Sequence, residues 1–213
     1  MKIFLVLVHM HFKQLVSVSL LALFSTLVSA KDYSTSAKDD FMFRLYAGAD
    51  IATLNGQYKY VDRGFQIGFS NYLSLGAYTP YYLQVGFEYN QIHDETYFVE
   101  EKLCNFAIPV NICCISKPKN GLRFEAFVGG NFRINTAANI TTKEEGYHVF
   151  SGLKTSDVKP IQVGMNVGGA FHVSWFVFSY RYNPDFTDFF DERSSGRSGG
   201  KTEYHFVTLG VNF

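Results

Sequence analysis

The chain has 213 residues, with 19 Lys and Arg against 19 Asp and Glu, and a balance with no basic excess argues against nucleic acid as a partner. Its 22 Phe, 14 Tyr and 18 Gly stand beside one Trp and 5 Pro, a composition that favours sheet over helix. The three cysteines, Cys104, Cys113 and Cys114, are odd in number and include an adjacent pair, so they imply no disulfide framework. They also lack nearby partners for a metal site, and no metal or cofactor is expected.

At the N-terminus, Lys13 precedes a charge-free apolar run from Leu15 that closes on Val28-Ser29-Ala30. That pattern predicts a secretory signal peptide over residues 1–30. The run is shorter than the roughly 20 apolar residues of a membrane-spanning helix. Met10 offers an alternative start. Removing residues 1–30 takes away Lys2 and Lys13 and no acid, leaving 17 basic against 19 acidic residues in a mature domain over 31–213. No second long apolar run follows, so no transmembrane helix is expected.

From residue 41 the pattern becomes strict alternation. In "FMFRLYAGA" Phe41, Phe43, Leu45 and Ala47 share one face, and Met42, Arg44, Tyr46 and Gly48 the other. The same period of two recurs in "GFQIGFSNYL", "YYLQVGFEYN", "NFAIPVNIC", "GLRFEAFVGGNFRIN", "IQVGMNVGGAF", "WFVFSYRYN" and the closing "VTLGVNF". Eight segments of this kind are eight strands, each with an oily and a polar face.

The polar faces decide between a soluble sandwich and a membrane barrel. They carry Gly, Gln, Asn and Ser with a few charges of both signs: Arg44, Glu88, Arg123, Glu125, Arg133 and Arg181. Lysine is nearly confined to the connections, at Lys59, Lys117, Lys119, Lys143, Lys154, Lys159 and Lys201. A polar interior with compensating charge and an apolar exterior describe an all-β, eight-stranded antiparallel up-and-down transmembrane β-barrel, closed because no backbone edge can face lipid. Long connections near 50–63, 91–101, 135–159 and 183–202 alternate with short ones near 71–80, 116–120 and 172–174. With a periplasmic N-terminus the long ones lie outside the cell.

The segments "GFQIGFSNYLSL", "YYLQVGFEYN", "FAIPVNICC", "LRFEAFVGGNF", "VGMNVGGAF" and "SYRYNPDFTDF" resemble, in order and spacing, the porin-like outer-membrane β-barrel proteins called PorT-like. The resemblance implies an eight-stranded barrel in the outer membrane of a Gram-negative envelope. It further implies that Phe213, an aromatic closing an alternating strand, is read by the outer-membrane assembly machinery.

An eight-stranded barrel is just wide enough for side chains to fill, so the six interior charges are expected to neutralise one another rather than line a small porin or solute channel. Asp185, Asp188 and Asp191, spaced by three in "NPDFTDFFDE", form a candidate loop site for a ligand, a cation or lipopolysaccharide-bound ions. His172 and Ser174 in "FHVSW" resemble the His-x-Ser of outer-membrane lipid A deacylases, an alternative reading as a lipid hydrolase. The loop count puts them in a tight periplasmic turn, away from the outer leaflet, with no acid near in sequence. The expected role is envelope-structural or surface-binding, without catalysis, among outer-membrane lipid and lipopolysaccharide.

Overall fold

The computed structural model describes residues 41–55, 60–76, 79–95, 99–117, 119, 121–142, 155–192 and 199–213. The signal peptide expected over 1–30 lies outside the described residues. Eight strands follow one another: β1 (Phe41–Asn55), β2 (Tyr60–Ser74), β3 (Tyr81–Glu95), β4 (Val99–Ile115), β5 (Leu122–Thr142), β6 (Ile161–Val173), β7 (Phe176–Pro184) and β8 (Lys201–Asn212). Each strand pairs with the next, and β1 pairs antiparallel with β8, which closes the barrel. Phe213 and Phe43 complete the closure by exchanging backbone bonds, 2.8 Å from Phe213 N to Phe43 O and 3.2 Å in return.

The alternation of the sequence becomes the two surfaces. Leu45, Ile67, Phe124, Val128, Phe178 and Val207 are exposed on the outside. Arg44, Gln66, Glu88, Glu125, Asn131 and Arg133, on the opposite parity, are buried inside. This is the reverse of a soluble barrel, and such a surface is stable only where hydrocarbon replaces water. No described helix is long and apolar enough to cross a membrane; the strands cross instead.

Strands of 15 residues in β1, β2 and β3 exceed the 9–11 or so that span a bilayer. They project beyond it at one end, and this corrects the expected loops. The stretches 50–63 and 91–101 are mostly strand, with connections of only 56–59 and 96–98, because pairing continues after the outer face has ceased to be oily. His93 opposite Lys102 and Asp94 opposite Glu101 are examples of that continuation. The other connections at this end, hereafter the loop end, are 143–160 and 185–200. The turn end carries both barrel-closing residues, Phe43 and Phe213, and the connections 75–80, 116–121 and Ser174–Trp175.

One irregularity re-aims side chains near the loop end. Cys104 pairs with Ala137 but Asn105 with Asn135, so Thr136 is an extra residue on β5, and its hydroxyl donates to the Cys104 carbonyl at 3.1 Å. Beyond this bulge the inward parity switches from odd to even. Ala138 then joins Val158, Phe189 and Phe190 in a small apolar cluster at the loop end.

A hydrogen-bonded closed barrel resists detergent until it is heated. Refolded in lipid or detergent, the protein is expected to migrate differently on an SDS gel before and after boiling; identical migration would count against closure.

Candidate functional site

The polar interior divides into three tiers, each centred on a carboxylate met by an arginine. At the turn end Glu125 accepts a bond from Arg44 Nη2 at 2.7 Å and one from the Tyr72 hydroxyl at 3.1 Å. His172 Nε2 lies 2.9 Å from the same carboxylate. In the middle tier Arg181 grips Glu88 with both terminal nitrogens, at 2.5 and 2.7 Å, and the Tyr46 hydroxyl adds a third bond at 2.6 Å. Near the loop end Arg133 donates to Asp185 at 2.5 Å and to Asn183, while Thr202 donates to Asp185 at 2.8 Å. Each guanidinium also lies over an aromatic face: Arg44 over Tyr72, Arg133 over Tyr204 and Arg181 over Phe206. Weakly hydrated, planar arginine suits both contacts, which lysine would not.

Amides join the two outer tiers. Asn183 donates to Asn166 at 3.0 Å, Asn166 to Asn111 at 3.0 Å, Asn111 to Gln84 at 2.7 Å, and Gln84 to the Tyr72 hydroxyl at 2.8 Å. With Arg133 at one end and Glu125 at the other, the run is continuous and head to tail. Small residues make room for the larger ones. A Cβ on Gly68 would stand 3.0 Å from the Tyr46 ring and 3.0 Å from Glu88 Cγ, so glycine is what lets this pair pack against β2.

Among the described residues these contacts occupy much of the lumen. A cavity bordered by Arg44, Tyr46, Gln66, Arg181 and Phe206 has a volume of about 20 Å³, room for about one water molecule.

Of the charges expected inside, Arg44, Glu88, Glu125, Arg133 and Arg181 stand in these tiers. Arg123 is half-buried beside the turn end, opposite His172 in register. Asp185 was expected in a loop. It instead enters the lumen, because β7 runs to Pro184 and Asp185 still bridges to Gly164 of β6. The three loop acids are therefore not one site. Asp188 lies 3.7 Å from Lys159, the Asp191 backbone N–H donates to the Asp157 carbonyl, and the described residues contain no metal-holding group of three such side chains. The neighbouring phenylalanines divide: Phe189 and Phe190 are buried, and Phe186 is 59% exposed.

His172 also differs from expectation. It belongs to β6 rather than to the turn, is 2% exposed, and has an acid beside it in space that the sequence hid, Glu125 from β5. Arg44 Nε donates to Asn212 Oδ1 at 2.9 Å, which turns the Asn212 amide nitrogen toward His172 Nδ1 at 3.1 Å. Nδ1 therefore meets an amide N–H, and Nε2 faces the Glu125 carboxylate with Arg44 Nη2 3.4 Å away. Both nitrogens are engaged inside the lumen, whereas Ser174 is exposed in the turn at φ 56°.

No family model matches the chain, and no curated protein matches it in sequence. Solved structures do. Neisserial surface protein A is similar over 80% of this chain and 97% of its own, with 11% identity and a TM-score of 0.50. Ail of Yersinia pestis, an attachment invasion locus protein, covers 82% of this chain and 99% of its own at 10% identity and a TM-score of 0.47. The outer membrane protein OprG of Pseudomonas aeruginosa covers 84% and 98% at 10% identity and a TM-score of 0.42. At such identities the likeness is one of fold. Closed through β1 and β8, oily outside and polar within, this chain is an eight-stranded outer-membrane β-barrel.

Proposed function

We propose that the protein is a non-catalytic component of the envelope, of the PorT-like kind its sequence resembles, with its lumen serving as a structural plug and its loop end facing outward to lipopolysaccharide and surface ligands. The observation that carries this reading is the crowded lumen: three ion pairs and an amide run occupy the path a solute would take. A porin needs an open, hydrated path. A serine hydrolase needs a histidine nitrogen free to take the serine proton, and His172 has both nitrogens engaged.

Proteoliposomes carrying the barrel are expected to swell in small sugars no faster than empty ones, and vesicles containing lipid A to release no acyl chain. Rapid swelling would transfer the reading to a solute channel, and acyl release lost in His172→Ala to a hydrolase. As a plug, the middle tier should respond as a buried pair does. Arg181→Met leaves Glu88 buried without its partner and should cost about 3–5 kcal/mol in unfolding, largely recovered by adding Glu88→Leu. A destabilisation below about 1 kcal/mol would show that the pair does not hold the lumen.

Phe213 is the proposed assembly signal. Its ring is 72% exposed on the outer surface, 6.3 Å from that of Phe43, within reach of another protein before lipid surrounds it. Phe213→Asp should reduce the heat-modifiable species in outer-membrane fractions several-fold, and Phe186→Ala, at another exposed phenylalanine, should not. Equal assembly of the two would remove the signal role.

Orientation has its own test. Trypsin added to intact cells should cut after Lys143, Lys154, Arg193 or Arg197 and spare Lys119 in the turn between β4 and β5. Cleavage at Lys119 from outside would invert the barrel and bring the turn with Ser174 to the outer leaflet.

A further inference from the structure

The buried acids of the lumen outnumber its buried arginines. Among the described residues the buried arginines are Arg44, Arg133 and Arg181, with Arg123 half-buried beside the turn end, whereas the buried acids are Asp50, Glu88, Glu125 and Asp185. The surplus falls on Asp50. Glu88, Glu125 and Asp185 each hold an arginine, while the carboxylate of Asp50, a residue 1% exposed, has no hydrogen-bond partner beyond its own backbone N–H. Arg133 and Arg181 act on it only through space.

The wall around Asp50 is short of partners in the same way. On β2, Gly64 leaves open the place where the Asp50 carboxylate lies: a Cβ there would stand 2.5 Å from Asp50 Oδ1. Gln66, two residues along the same face and 1% exposed, has neither its amide oxygen nor its nitrogen bonded. Asn90, opposite Gln66 in register and fully buried, donates its nitrogen to Asn105 at 2.9 Å and keeps an unbonded oxygen. Asp50 on β1 leans on β2 at Gly64, and Gln66 on β2 faces Asn90 on β3, so three successive strands carry a carboxylate and two amide oxygens, all hard donors.

A lone buried carboxylate is costly unless it takes up a proton or a cation joins it, and hard oxygen donors beside it favour the cation. We propose that this region binds one small, hard, partly hydrated monovalent cation of the sodium class, held by Asp50 with the amide oxygens of Gln66 and Asn90. The class follows from the donors and the charge. Oxygen ligands select alkali and alkaline-earth ions over softer metals. A single uncompensated charge with two arginines near matches a monovalent ion better than calcium, which draws on several carboxylates.

The test is thermal unfolding of the refolded full barrel, read by loss of the unboiled gel species, in sodium chloride and in N-methylglucamine chloride at equal ionic strength. The wild type should unfold several degrees higher in sodium, with a saturable dependence on its concentration. Asp50→Asn, which keeps the shape and removes the charge, should abolish the difference, and Asp188→Asn on the exposed loop should retain it. Gln66→Leu should keep the effect but shift its midpoint to several-fold higher sodium, which preserves the test if Asp50→Asn fails to fold. Equal wild-type midpoints in the two salts, a sodium effect that survives in Asp50→Asn, or an unchanged sodium midpoint in Gln66→Leu would each overturn the proposal.

Discussion

Charge pairing inside a narrow, nearly dry lumen is the constraint on which the rest of the barrel depends. The bilayer requires the oily parity of each strand to face outward, so the polar parity of all eight strands is forced into one column. That column has little room for bulk water, and an ion left alone there loses its hydration with nothing in exchange. Glu88 and Arg181 illustrate the solution. Two parallel bonds and a tyrosine hydroxyl satisfy the carboxylate, and Phe206 covers the guanidinium. Each such cluster joins strands that are not neighbours in the sheet. The polar contents therefore brace the barrel across its diameter, while the backbone ladder holds it around its circumference.

The outer surface answers to the opposite demand. Phe43 neighbours Phe213 and Phe69, Phe69 neighbours Phe87, and Phe87 neighbours Phe106, with ring separations of 5.4 to 6.3 Å. This row crosses from β4 to the closing residue and covers the seam between the first and last strands. Trp175 and Phe176 at the turn end are also exposed, at a boundary where rings with an apolar body sit well.

The strands and their faces were legible because a period of two leaves little choice: if Leu45 faces lipid, Arg44 and Tyr46 face the lumen. The partner of each lumen charge was not legible. Arg181 and Glu88 are 93 residues apart and meet only because of how eight tilted strands are staggered, which alternation in any one strand does not encode. Asp50 and Asp185 were hidden for a different reason. They lie near the loop-end rim, where the polar residues that follow read as a connection although the pairing and the lumen continue and Ile51 and Phe186 still face outward. His172 shows the same limit at the turn end. Its strand runs two residues past the last clear outward aromatic, Phe171, which is enough to move it from a turn to the barrel interior. Charge composition showed that both signs enter the lumen, and only the structure shows which acids meet an arginine there.

The run of bonds from Arg133 to Glu125 has a sense of direction. An arginine can only donate and a carboxylate can only accept. These two ends agree in sense with every amide between them, and the Met165 and Gly130 carbonyls, which accept from Asn183 and Asn166, fix the same orientation. Reversing any one would set oxygen against oxygen on one side and N–H against N–H on the other. The four amide dipoles act as a single aligned column, each bond polarising the next. The interior consequently has an electrical head at Arg133 and a tail at Glu125, and a change of charge at either end acts on a run of dipoles already aligned, without any strand having to move.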